Sequence, residues 1–252
     1  MLEYRSGLGK CVLEQSMTTM QTEDEEILRL MEQMHAESKP IQMLNIFRGL
    51  PIAYHALIDH IEMGYVHLKI HGYQAVAIAL EKRTFIQGGL LPEPVRANPV
   101  AVSVVNQEVT LNRFAYAKTP VGQRTTPRVQ PRDPLKVEVR TSKGQISAMI
   151  ADLSASGMGV FTFGTYIDYR LDLKRHDEVE LCIHLPGGRT LCLPGAISNM
   201  KRERSTMLYR LGLETYPDPI AAAALSDYVA NRSAEILQEL ETMYHTMCDA
   251  IA

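Results

Sequence analysis

The stretch Ile146-Ser147-Ala148-Met149-Ile150-Ala151-Asp152-Leu153-Ser154-Ala155-Ser156-Gly157 decides how this chain is read. Its first half alternates apolar and small or polar residues with a period of two, the pattern of a half-buried β-strand. Alternation carried into the second half puts Asp152 and Ser154 on one face and Leu153 on the other. Gly157 follows where the strand must turn, and without a Cβ it lets a flat group approach the backbone. About two dozen positions upstream stands a second pattern, Arg124-Thr125-Thr126-Pro127-Arg128.

Taken alone, an arginine pair at this spacing is usually a solvated charge pair, and Asp-x-Ser-x-x-Gly is usually a loop. Together they describe one ligand. A guanidinium is planar and permanently charged, so it stacks on a purine face, forks onto guanine O6 and N7, and neutralises phosphate oxygens. A carboxylate accepts from the N–H groups of a guanine edge, supported by a neighbouring hydroxyl. A cyclic dinucleotide with two guanines and two phosphates satisfies Arg124, Arg128, Asp152 and Ser154 at once, with Gly157 shaping the floor.

With Val129 after the second arginine, Gly159-Val160 continuing the second motif, and Tyr209-Arg210-Leu211-Gly212-Leu213-Glu214 as a last strand, the chain resembles the PilZ family of cyclic di-GMP receptors. The resemblance implies a six-stranded barrel, a ligand clamp at Arg124, Arg128, Asp152, Ser154 and Gly157, and no catalytic chemistry. Gln123 stands where many relatives carry another arginine, which leaves open whether one dinucleotide or a stacked pair is bound. Phe47-Arg48-Gly49-Leu50-Pro51-Ile52 and the strands after it resemble the amino-terminal barrel of flagellar-brake-type proteins.

Length and composition fit this reading. The 252 residues suffice for two ordinary domains, and 46% apolar with 22% charged residues is a globular composition. Net charge is −3, against wholesale nucleic-acid binding. Yet Leu111 to Arg140 holds seven basic residues against two acidic ones, a local excess that suits a small polyanion. Single-stranded nucleic acid would need aromatics interleaved with that charge, and only Phe114 and Tyr116 are near. No apolar run reaches membrane-spanning length, and Met1 to Lys10 lacks the apolar core of a signal peptide, so the expected location is the cytoplasm. Cys11, Cys182, Cys192 and Cys248 lack metal or redox spacing and are expected to be free thiols.

The expected architecture is mainly β, with two small β-barrel domains in tandem, an amino-terminal helix and a long carboxy-terminal helix. Residues 1–40 form a loosely ordered start and a helix opened by a Thr22/Glu25 capping box, with Ile27, Met31 and Met34 on its apolar face. Residues 41–117 form the first β domain, with strands at Tyr65 to His71, Val76 to Leu80, Arg83 to Ile86, Val100 to Val105 and Val109 to Phe114. Residues 118–134 are a linker carrying the arginine motif, with few apolar anchors and hence mobile without ligand. Residues 135–216 form the second barrel, with a hairpin turn at Pro186-Gly187-Gly188. Residues 217–252 form a helix capped by Asp218 and opened by Pro219. At 1.5 Å per residue it would be about 45 Å long. Its stripe of Ile236, Leu240, Met243 and Met247 either packs on its own barrel or joins a second copy.

Competing chemistry finds little support. His55, His60, His67 and His71 lack the spacing of a metal site and read as surface residues. Gly157-Met158-Gly159 has no third glycine and no following helix, and phosphate-loop, nucleophile-elbow and zinc-protease motifs are absent. What the resemblance to PilZ and flagellar-brake-type proteins implies is a receptor that signals by protein contact, in motility through the flagellar motor or in polysaccharide synthesis and biofilm formation. The alternative is a barrel-shaped adaptor that works without nucleotide.

Overall fold

The computed structural model describes residues 23–118, 126–164, 173–203 and 207–250. The chain forms two compact units, divided between Gln123 and Arg124 and, within the last helix, between Gln238 and Glu239; Arg48–Leu50 belongs to the second.

The first unit is a closed barrel of six strands in the order β1-β2-β3-β6-β5-β4. They are β1 (Ile41–Phe47), β2 (Leu50–Glu62), β3 (Tyr65–Lys69), β4 (Thr84–Gln87), β5 (Val95–Ser103) and β6 (Glu108–Tyr116). Helix α1, residues 23–36, lies against it. Ile27, Met31 and Met34 are fully buried in the barrel's core cluster, so the apolar stripe read from sequence faces the core. At its start, Asp24 Oδ1 accepts from Phe114 N at 2.5 Å and Glu23 Oε1 from Tyr116 N at 2.8 Å, satisfying N–H groups of β6. Thr22, the expected cap, lies outside the described residues.

Helix α2 (Gly72–Glu81) corrects the strand expected at Val76 to Leu80. The Val-Ala-Ile-Ala-Leu run imitates alternation, but alanine is itself apolar and is the best helix former, and Ala75 to Ile78 are all buried. Local capping decides the matter: His71 Nδ1 accepts from Tyr73 N at 3.1 Å, and Lys82 ends the helix in a left-handed conformation. Buried Asn45 of β1 ties α2 and β4 together, accepting from Gln74 Nε2 at 2.5 Å and Thr84 Oγ1 at 2.9 Å and donating to the Arg83 carbonyl at 2.6 Å. The His60 and His67 rings stack 4.0 Å apart, and among the described residues no group of three or more His, Cys, Asp or Glu could hold a metal ion.

The second unit contains the second closed barrel, in the order β10-β11-β12-β9-β8-β7. Its strands are β7 (Lys136–Thr141), β8 (Gly144–Ser154), β9 (Gly157–Phe163), β10 (Glu178–His184), β11 (Thr190–Arg202) and β12 (Leu208–Thr215). Inward residues such as Val137, Ile146, Leu153, Val160, Leu181 and Leu211 fill one core. The turn after β10 places Gly187 and Gly188 at φ +79°, which glycine adopts freely.

Cys182 and Cys192 form a disulfide, correcting the expectation of free thiols; Cys248 is free, and Cys11 lies outside the described residues. The cause is register: in the β10–β11 hairpin Cys182 is directly opposite Cys192, with Cα atoms 4.1 Å apart.

Helix α3 (Pro219–Asp249) begins as expected, with Asp218 Oδ1 accepting from Ala221 N at 2.7 Å. In the second unit Ala221, Ala224 and Leu225 join the barrel core. In the first, Leu240 is fully buried and Gln107 Nε2 donates to the Tyr244 hydroxyl at 3.1 Å. Of the stripe that suggested a second copy, Ile236 and Leu240 are fully covered by this chain and Met243 and Met247 are partly covered.

Candidate ligand site on the second barrel

The site begins with one buried valine. Val129 is fully buried and makes an antiparallel bridge to Leu153: each N–H donates to the other's carbonyl at 2.9 Å. Val129 is thus one of the few apolar anchors of the segment 118–134, holding it to the barrel at this point. Arg232 of α3, 3% exposed, donates Nε to the Gln130 carbonyl at 2.9 Å and pairs with Glu235 at 2.8 Å. Within the same unit, Gln130 N donates to the Arg48 carbonyl at 2.8 Å. Gly49, at φ +85°, leaves room for Arg128: a Cβ there would lie 2.9 Å from the Arg128 carbonyl oxygen.

Strict alternation along β8 would put Asp152 on the inner face with Ile146, Ala148 and Ile150. A register shift in the β8–β9 pairing, between Ile150 and Asp152, reverses the pattern. Leu153 then enters the core and Asp152 turns outward, its side chain 13% exposed. Both carboxylate oxygens are engaged. Oδ1 accepts from Arg128 Nη1 at 3.0 Å and Gly159 N at 3.2 Å, and Oδ2 accepts from Arg210 Nη2 at 2.9 Å. Gly159 is a close-approach glycine, since a Cβ would sit 2.8 Å from Asp152 Oδ2.

Ser154 and Gly157 shape the turn. The Ser154 hydroxyl is buried and donates to the Gly157 carbonyl at 2.9 Å. Gly157 lies against β12, and a Cβ there would be 2.5 Å from the Leu213 carbonyl oxygen. Thr126 and Ser156 hydroxyls meet at 3.1 Å, linking the arginine segment to the same turn. Of the sequence-derived set, Arg128, Asp152, Ser154 and Gly157 thus gather at the end of β8, and Arg124 lies outside the described residues.

Arg210 was legible only as part of the last strand. Its guanidinium reaches Asp152 and also stands 5.6 Å from the Phe161 ring centroid, within cation–π range. The signal for it was positional: Arg210 is directly opposite Phe161 in the β9–β12 ladder. Two guanidinium groups around one carboxylate form a set of planar donors beside an acceptor, suited to holding an anionic, edge-donating ligand.

Residues 122–231 match the family model described as PilZ domain. Among solved structures, the chain is similar to the Bacillus subtilis inhibitor of motility (MotI/DgrA), at 13% identity over 79% of this chain and 97% of that one, TM-score 0.42. It is similar to YcgR from Escherichia coli in complex with c-di-GMP, at 12% identity over 87% and 95%, TM-score 0.44. It is also similar to the K. pneumonia MrkH–c-di-GMP complex, at 12% identity over 86% and 96%, TM-score 0.46. No curated protein matches it in sequence.

Proposed function

This chain carries a PilZ domain at residues 122–231, and on that premise we propose that it is a cytosolic receptor for cyclic di-GMP. The observation that carries the reading is the meeting of Arg128 and Asp152 at 3.0 Å. Arg124 and Arg128 stack on the guanines and contact the phosphates, and Asp152 accepts from a guanine edge. Ser154 and Gly157 hold the turn that presents that carboxylate. Among the described residues no helix is long and apolar enough to cross a membrane.

The output is contact with another protein, in the control of motility or biofilm formation. Arg124 lies on the sequence that joins the two barrels, so a dinucleotide that draws it onto the second barrel also changes how the domains are arranged. A partner such as the flagellar motor or polysaccharide-synthesis machinery reads the new surface.

Calorimetric titration with cyclic di-GMP, with GMP and cyclic di-AMP as controls, tests ligand and selectivity together. Each charge-assisted hydrogen bond contributes about 1.5–3 kcal/mol, so Arg124→Ala or Arg128→Ala weakens binding about tenfold or more. The reading fails if the parent takes up no cyclic di-GMP, or if both variants bind like the parent. Scattering profiles that superimpose with and without ligand would remove the rearrangement step alone.

A further inference from the structure

Asp152 is short of acceptor capacity. A carboxylate offers about four lone-pair sites, and three are taken by Arg128 Nη1, Gly159 N and Arg210 Nη2. The Watson–Crick edge of guanine presents two donors, N1–H and the N2 amino group. To accept both, Asp152 must release one existing partner.

The three donors differ in freedom to move. Gly159 N is fixed within β9, between β8 and β12. Arg128 belongs to a segment outside the named strands and, in the function proposed above, turns its guanidinium to the ligand. Arg210 rises from β12, a strand paired on both sides, and its head rests beside the facing Phe161 ring at 5.6 Å. We propose that Arg210 is the positioning residue that keeps the Asp152 carboxylate aimed at a guanine edge once Arg128 has gone over to the ligand, and that it thereby sets the preference for guanine. The inference rests on the cyclic di-GMP reading and assigns a role to a residue outside both motifs.

Without Arg210, Asp152 in the liganded state retains only the Gly159 N–H and loses its fixed orientation. Affinity then falls chiefly for a ligand whose N2 amino group is read. The full chain and its Arg210→Ala, Arg210→Lys and Arg128→Ala variants are titrated with cyclic di-GMP and with cyclic di-IMP, whose hypoxanthine bases lack that amino group. The parent prefers cyclic di-GMP by about tenfold, the scale of one hydrogen bond to a charged group. Arg210→Ala shrinks the ratio toward unity, Arg210→Lys restores most of it, and Arg128→Ala weakens both ligands alike.

A purely structural role for Arg210 would lower the unfolding temperature and leave the ratio unchanged, which overturns the inference while the receptor reading stands. A parent that binds the two ligands equally also overturns it. A parent that binds neither removes the receptor reading itself. Should the alanine variant not fold, Arg210→Gln, which keeps a polar side chain on β12 and removes the charge, answers the same question.

Discussion

Arg128 and Asp152, 24 positions apart, meet at 3.0 Å because their neighbours Val129 and Leu153 exchange a pair of backbone hydrogen bonds at 2.9 Å. The bridge is as much part of the site as the charges. Val129→Pro removes one of its two donors. Binding of cyclic di-GMP is expected to weaken about tenfold, in line with one lost hydrogen bond, and the Leu153 amide should exchange faster with solvent. Unchanged affinity would show that Arg128 is placed by something other than the bridge.

Two glycines two residues apart should respond in opposite ways. A methyl group at Gly157 meets the Leu213 carbonyl oxygen at 2.5 Å, a backbone atom of a paired strand, so Gly157→Ala should cost about 1–3 kcal/mol of stability. At Gly159 the obstacle is Asp152 Oδ2 at 2.8 Å, the end of a side chain that can swing aside. Gly159→Ala should cost less stability than Gly157→Ala and weaken ligand binding more, because it disturbs the carboxylate and not the strand backbone. Denaturant unfolding and calorimetry on both variants separate the two effects.

The Cys182–Cys192 bond should be seen directly by thiol chemistry. In denatured protein without reductant, Cys248 reacts with a thiol reagent and Cys182 and Cys192 do not until reductant is added. Replacing both by serine should lower stability by about 2–3 kcal/mol, the scale of a short closed loop. Equal labelling of Cys182 and Cys192 with and without reductant would contradict the pairing.

His71 gives the first barrel an acid-sensitive point. Partial desolvation of its ring, which stacks 3.9 Å from Tyr54, holds its pKa below the ordinary imidazole value. The neutral Nδ1 is also the acceptor that caps α2. The native state binds the proton less readily than the unfolded chain, so this stability is fully present above the unfolded value. It declines as pH falls from about 6.5 through the lower folded value. His71→Asn caps without titrating, and thermal melts between pH 8 and pH 5, a span chosen to bracket about 6.5, should then lose that part of their slope.

How far the sequence led depended on whether the deciding interaction was local. In the second barrel β8 was legible from the alternation of Ile146 to Ile150 and the last strand from the run Tyr209 to Glu214, and the Asp152 to Gly157 turn carries its own signature. The outward turn of Asp152 was reached from an argument that would have sent it inward, since a register shift between Ile150 and Asp152 leaves no mark in residue types. Helix α2 was missed because alanine counts as apolar in a strand pattern and as a helix former in another. Arg210 and the Cys182–Cys192 pair became visible only with strand register, which is set jointly by the turns and by the apolar patterns of two strands and cannot be read from either strand alone. Asn45, a polar residue inside an apolar strand, acquires its meaning from Gln74, Arg83 and Thr84, distant in sequence.

Each sheet closes on itself, β1 to β4 and β7 to β10. A cylinder sealed in this way lends none of its rim hydrogen bonds to a visiting chain, so strand addition is denied to partners and to fibril growth alike. Whatever docks on these barrels must recognise protruding side chains, and point substitutions on the outer walls should be able to separate one partner from another.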